Sequence, residues 1–198
     1  MRVTILDYGA GNLHSLEKAL VLAGARASIE ADAERCLDTD ALVLPGVGAF
    51  GHAATRLATS RHALRSAIRD GLPTIGICLG MHLLFDGSDE GPGEGLGVVA
   101  GRVERLATRR IPQIGWNSID DTNDLLVTGS SLISAYYANS FVARPADDKC
   151  VVAWSTHESD RFPAIVRAHR AIGVQFHPEK SSAPGIRFLA AALAECAR

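Results

Sequence analysis

Hydrophobic positions follow two different patterns along the chain. The short apolar run Val3-Thr4-Ile5-Leu6 ends in the turn-forming Asp7-Tyr8-Gly9-Ala10-Gly11-Asn12, which predicts a buried strand feeding a loop. Leu13, Leu16, Leu20 and Ala23 then recur at helical spacing, and Gly24 stands where a helix would be capped. Residues 27–30 and 41–44 read as the next strands, the second stopping at Pro45-Gly46-Val47-Gly48. Leu57, Leu64 and Ile68 place one helix over 53–70, closed by Gly71. Pro73-Thr74-Ile75-Gly76-Ile77 is a further buried strand, followed by a helical run over 81–85. Strands alternating with helices predict an α/β fold with a mostly parallel central sheet covered on both faces.

After Gly87 the pattern leans towards β-structure. The Gly/Asp/Glu-rich stretch 87–97 predicts a loop, residues 96–106 a hairpin or extended run, and 136–142, 150–156, 164–167 and 172–176 strands. Ile186, Leu189, Ala190 and Leu193 share one side of a closing helix over 186–196. With no internal repeat or linker, residues 1–198 are expected to form a single domain with a β-rich elaboration in its second half.

Composition narrows the class. A chain of 198 residues suits one sizeable core, and 47% hydrophobic with 21% charged residues excludes disorder, collagen-like repeats and a coiled coil. The 20 Lys+Arg against 22 Asp+Glu leave no basic domain to hold a phosphate backbone, so nucleic acid is not an expected partner. No apolar run is long enough for a signal peptide or a spanning helix, and a cytoplasmic protein without membrane contact is expected. Cys36, Cys78, Cys150 and Cys196 lie far apart, which predicts neither a disulfide framework nor a structural metal.

Gly76-Ile77-Cys78-Leu79-Gly80 sits between a predicted strand and a predicted helix, with the spacing of a nucleophile elbow in which Cys replaces Ser. Such a turn strains the central residue, and glycines two before and two after relieve the crowding. The thiol would stand at a helix N-terminus, where the macrodipole and free amides favour negative charge. The alternative is a buried structural cysteine. Gln175-Phe176-His177-Pro178-Glu179 ends a predicted strand and puts His177 and Glu179 on one face. A base that takes a thiol proton through one ring nitrogen needs its other nitrogen held by an acceptor, a role open to Glu179. A solvated surface turn is the competing reading of the same residues.

Together, Gly76-Ile77-Cys78-Leu79-Gly80-Met81 and Gln175-Phe176-His177-Pro178-Glu179 resemble the signature of class-I (triad) glutamine amidotransferases. Asp7-Tyr8-Gly9-Ala10-Gly11-Asn12-Leu13, Pro45-Gly46-Val47-Gly48-Ala49-Phe50, the segment Ile111 to Asn117 and Glu179-Lys180-Ser181 are similar to one branch, the glutaminase subunits of imidazole glycerol phosphate synthase. The resemblance runs from Asp7 to the closing helix. It implies a flavodoxin-like fold and a Cys78, His177, Glu179 triad that hydrolyses glutamine through a thioester without metal or cofactor. It also implies an oxyanion hole at Val47 and Leu79. Glutamine contacts would fall at Gly46, Gly48, Leu79, His82, Glu90, Ser140 and Phe141, with Glu90 towards the α-ammonium. The implied partner is a (β/α)₈-barrel cyclase subunit in a heterodimer, met by Asn12, Trp116, Tyr136 and Lys180. Read without the resemblance, Asn12 is a helix N-cap, Trp116 and Tyr136 are core aromatics, and Lys180 is a solvated charge.

The chain departs from the family pattern at His82, where Gln is usual, and at Asn139, where His is usual. An ordinary imidazole titrates near pH 6.5, so His82 is expected to impose a pH dependence near neutrality. Glutaminases serving pyridoxal phosphate synthase or anthranilate synthase are rivals, disfavoured by Gly115-Trp116-Asn117 and Glu179-Lys180-Ser181. A non-catalytic module of the same fold is disfavoured by the intact triad.

Overall fold

The computed structural model describes residues 1–9 and 12–198, so Ala10 and Gly11 of the first turn lie outside the described residues. The first half alternates as its apolar pattern predicts: β1 (Arg2–Leu6), α1 (Leu13–Leu22), β2 (Arg26–Glu30), β3 (Ala41–Leu44), α2 (Phe50–Leu57), α3 (Arg61–Arg69), β4 (Thr74–Ile77) and α4 (Leu79–Leu83). The second half holds β5 (Gly87–Ser88), β6 (Gly101–Arg105), β7 (Gln113–Ser118), α5 (Leu125–Ser130), β8 (Ser134–Asn139) and β9 (Phe141–Pro145). It closes with β10 (Val151–His157), β11 (Asp160–Ala168), β12 (Ala171–Val174) and α6 (Ser182–Cys196).

Seven strands form the central sheet in the order β10-β11-β12-β4-β3-β1-β2. The five from β12 to β2 run parallel, in the 2-1-3-4-5 order of a flavodoxin-like sheet, while β10 and β11 extend it antiparallel. Every residue of β3, β4 and β12 is buried, as strands covered on both faces require. Alternation sends Val43, Ile75 and Ile77 to one apolar cluster with Leu16 of α1 and Phe188 of α6. Leu42 and Leu44 go to the other, with Phe50, Leu64 and Ile68 of α2 and α3. The core is therefore two layers, one on each side of the sheet.

Several expected boundaries move. The single helix over 53–70 is two, because the amides of Ala58 and Ser60 bond the carbonyls three residues back, Thr55 and Leu57, and the chain turns there. The strand expected at 136–142 breaks at Ser140 into β8, which pairs with β7, and β9, which pairs with β6. The loop at 87–97 contains β5, the strand at 164–167 extends to the nine residues of β11, and the closing helix starts at Ser182. No helix among the described residues is long and apolar enough to cross a membrane.

Candidate active site

Three neighbouring strands of the sheet, β3, β4 and β12, end at the same edge, and the segments leaving them meet there. Cys78 leaves β4 with φ 47 and ψ −103, a conformation costly for any residue with a side chain. Close packing around it enforces the turn. A Cβ on Gly76 would come within 2.7 Å of the Gly80 carbonyl oxygen, and one on Gly80 within 2.0 Å of the Leu44 carbonyl oxygen. The Cys78 amide donates to the Val174 carbonyl at 2.7 Å, tying the nucleophile's backbone to the end of β12. Helix α4 has only five residues, so the aligned-peptide dipole expected behind Cys78 is small, and specific side chains surround the sulfur instead.

Beyond β12, Gln175 and His177 alternate onto the face opposite Val174 and Phe176, which enter the core. The His177 ring is almost fully buried, with Nδ1 2.8 Å from Glu179 Oε1. Burial opposes a charge on this ring, but the adjacent Cys78 sulfur and Glu179 carboxylate outweigh it and push His177 up to about 10. Gln175 is fully buried; its Nε2 donates towards Cys78 Sγ at 3.6 Å and its Oε1 lies 2.9 Å from His82 Nε2. Burial pushes His82 down to about 4, with the Gln175 contact opposing. The expected titration of His82 near neutrality is therefore corrected: the ring is neutral there.

A cavity of about 270 Å³ opens over Cys78 and His177, lined also by Gly46, Val47, Gly48, Leu79, His82, Glu90, Asn139, Ser140, Phe141 and Lys180. The structure thus gathers every expected glutamine contact and both expected oxyanion donors around one space. The Glu90 carboxylate accepts the Phe50 amide at 3.2 Å, and burial raises it above the usual carboxylate range against that bond. Asn12 stands at the N-cap position of α1, but at φ 55 its side chain accepts from the Ser15 hydroxyl and makes no bond to a helix amide. Trp116 is 54% exposed and thus no core aromatic; it pairs across the β7–β8 ribbon with half-buried Tyr136, over which Lys180 Nζ sits 5.8 Å from the ring centre.

Two contributors escaped the sequence reading. Gln175 was visible only as a polar residue two before His177, the signal that would have found it. Tyr8 is buried, and its hydroxyl donates to the Pro45 carbonyl at the start of the Pro45–Gly48 segment. Among the described residues no three His, Cys, Asp or Glu side chains gather as a metal-binding group.

Comparison with known proteins matches residues 4–195 to the family model described as glutamine amidotransferase class-I. The chain is 42% identical over 197 residues to the imidazole glycerol phosphate synthase subunit HisH of Halobacterium salinarum, covering 94% of this chain and 90% of that protein. It is 39% identical over 198 residues to the HisH subunit of Geobacillus thermodenitrificans, covering 94% and 92%. Among solved structures, a glutamine amidotransferase superposes with a TM-score of 0.76 at 21% identity over 99% of both chains. PurLQS from Thermotoga maritima superposes at 0.73 with 20% identity, covering 98% of this chain and 97% of that one.

Proposed function

The chain belongs to the class-I glutamine amidotransferases, in the branch of imidazole glycerol phosphate synthase HisH subunits, and on that premise we propose that it hydrolyses L-glutamine and passes the ammonia to a cyclase subunit. The cyclase, a (β/α)₈ barrel in a heterodimer with this chain, makes imidazole glycerol phosphate and AICAR in cytoplasmic histidine biosynthesis. Residues 1–198 act as one amidotransferase domain.

His177 Nε2 takes the Cys78 thiol proton while Nδ1 stays on Glu179, and the sulfur attacks the glutamine carboxamide carbon. The oxyanion turns towards the Val47 and Leu79 amides, where loss of one donor typically costs ~10²–10³ in rate. Collapse breaks the C–N bond as His177 returns the proton to the departing ammonia. Water then attacks the thioester carbon, His177 takes its proton and passes it to sulfur, and glutamate leaves. The elevation of His177 to about 10 supports a ring able to hold that proton between steps. Gly46, Gly48, Leu79, His82, Glu90, Ser140 and Phe141 enclose the substrate; Asn12, Trp116, Tyr136 and Lys180 face the cyclase.

The observation that carries this reading is the convergence of a strained Cys78 and a Glu179-held His177 on one cavity. Replacing Cys78 by Ser is expected to abolish glutamine-dependent product formation by the complex while ammonium salts still support it. Loss of both activities in a folded, assembled Cys78→Ser complex would overturn the division of labour.

A further inference from the structure

We propose that Gln175 is a hydrogen-bond donor to the Cys78 sulfur and that His82 is the positioning residue that keeps its amide in the donating orientation. The inference rests on Cys78 acting as a thiolate nucleophile. Gln175 is fully buried, and its two amide ends meet different partners: Nε2 faces Cys78 Sγ at 3.6 Å and Oε1 faces His82 Nε2 at 2.9 Å. An amide oxygen can only accept, so His82 Nε2 carries the hydrogen. Turning the amide over would set Gln175 NH₂ against that N–H and aim a carbonyl oxygen at the sulfur. His82 thereby selects the orientation in which a developing thiolate meets a donor.

Helix geometry supplies His82 for the task. Its amide donates to the Cys78 carbonyl at 3.0 Å, one turn on, so both side chains rise on the same side of α4. With only 4% of its surface exposed, the ring has little freedom to swing away. Its neutrality near pH 7 leaves a single ring hydrogen, which Nε2 carries where it faces Gln175 Oε1. The other ionisable groups around the sulfur are His177 with Glu179 behind it on the β12 side, the Tyr8 phenol beyond β1, and Glu90 and Lys180 in the cavity lining. None of these depends on the Gln175 amide for its partner, so its removal reads out separately.

The test follows carboxamidomethylation of Cys78 by iodoacetamide in the full chain from pH 5 to 10, quantified on the Cys78 peptide by mass spectrometry, with circular dichroism confirming the fold. Removing the donor in Gln175→Leu is expected to raise the midpoint of the rate profile by about one unit, a tenfold change, the scale of one hydrogen bond to a charged group. His82→Leu raises it in the same direction, whereas His82→Gln, which keeps an N–H for Gln175 Oε1, restores the wild-type midpoint. The double variant His82→Leu/Gln175→Leu matches Gln175→Leu alone. An unshifted midpoint in folded Gln175→Leu, or additive shifts in the double variant, overturns the proposal. Should Gln175→Leu not fold, equal midpoints for His82→Leu and His82→Gln overturn it. Glutamine turnover by the wild-type complex is measured in parallel: its absence strikes at the glutaminase reading, and an unshifted profile strikes at this one.

Discussion

His82 shows how burial reassigns a residue that sequence alone would make a sensor of neutral pH. Held at about 4 against an ordinary value of about 6.5, the ring stays neutral across pH 6 to 8. The kcat/KM for glutamine of the wild-type complex is thus expected to lack a His82-dependent inflection there, so wild-type and His82→Gln profiles should run parallel. The consequence appears in stability instead. Because the folded value is depressed, the unfolded chain binds the proton first, and stability present above about pH 6.5 is lost as pH falls towards 4, by up to about 1.4 kcal/mol per unit. Urea titrations should show that loss in wild type and a shallower one in His82→Gln. Glu90 is shifted the other way: with its carboxyl raised, protonation on the acid side should increase KM for glutamine before it lowers kcat, and Glu90→Gln should flatten that rise. Cys78, His177 and Glu179 were legible because nucleophile and base each sit in a local motif. Gln175 was not, since its partner lies 97 residues away and only the pairing of β4 with β12 joins them.

Among the elements, the turn from β4 into α4 tolerates least. A Cβ at position 80 would sit 2.0 Å from a strand carbonyl, not from the end of a mobile side chain, so Gly80→Ala should cost at least about 3 kcal/mol in urea denaturation. Asp124 works as a junction: it caps α5 through the Leu126 amide at 2.8 Å and pairs with Arg167, which also binds Glu195 of α6. Removing it takes one of two carboxylate partners from a half-buried guanidinium and uncaps a helix end together, and Asp124→Ala should lower stability by about 2 kcal/mol. The alternating strands and helices of the first half were legible because their apolar runs are buried on both sides of a sheet. Besides the two-residue β5, too short to show any alternation, β7 and α5 went unread for a physical reason. Ile114 and Trp116 of β7 point outward, so the strand lacks an inward apolar face, and six residues of α5 are too few for a helical period to emerge.

Across the whole molecule, the outer ribbon and the active site share a backbone. The His177 amide donates to the Tyr136 carbonyl at 2.8 Å, while the Ser181 hydroxyl donates to the His177 carbonyl at 2.7 Å and accepts the Tyr136 amide at 3.0 Å. The strand carrying Tyr136 therefore grips the histidine from behind. Trp116→Ala should weaken assembly with the cyclase at least tenfold in titration calorimetry, as loss of an exposed aromatic anchor does, while leaving the Tm of the isolated chain within about 2 °C. Class and sheet type were legible at this scale from alternation alone. Strand order was not, because nothing local to residues 171–174 says that they pair with β4 on one side and β11 on the other.

That insertion of β12 beside β4 sets a schedule for the chain as it leaves the ribosome. Strand β4 and its cysteine emerge early, while the strand that must cover its open edge is the last of the sheet to be made. Until then Thr74–Ile77 is a bare apolar edge in need of shielding by a chaperone or by the growing chain itself. During the same interval the thiol lacks His177, its base. A product stalled before Ala171 would be an aggregation hazard, yet it could not squander glutamine or release ammonia with no acceptor in reach.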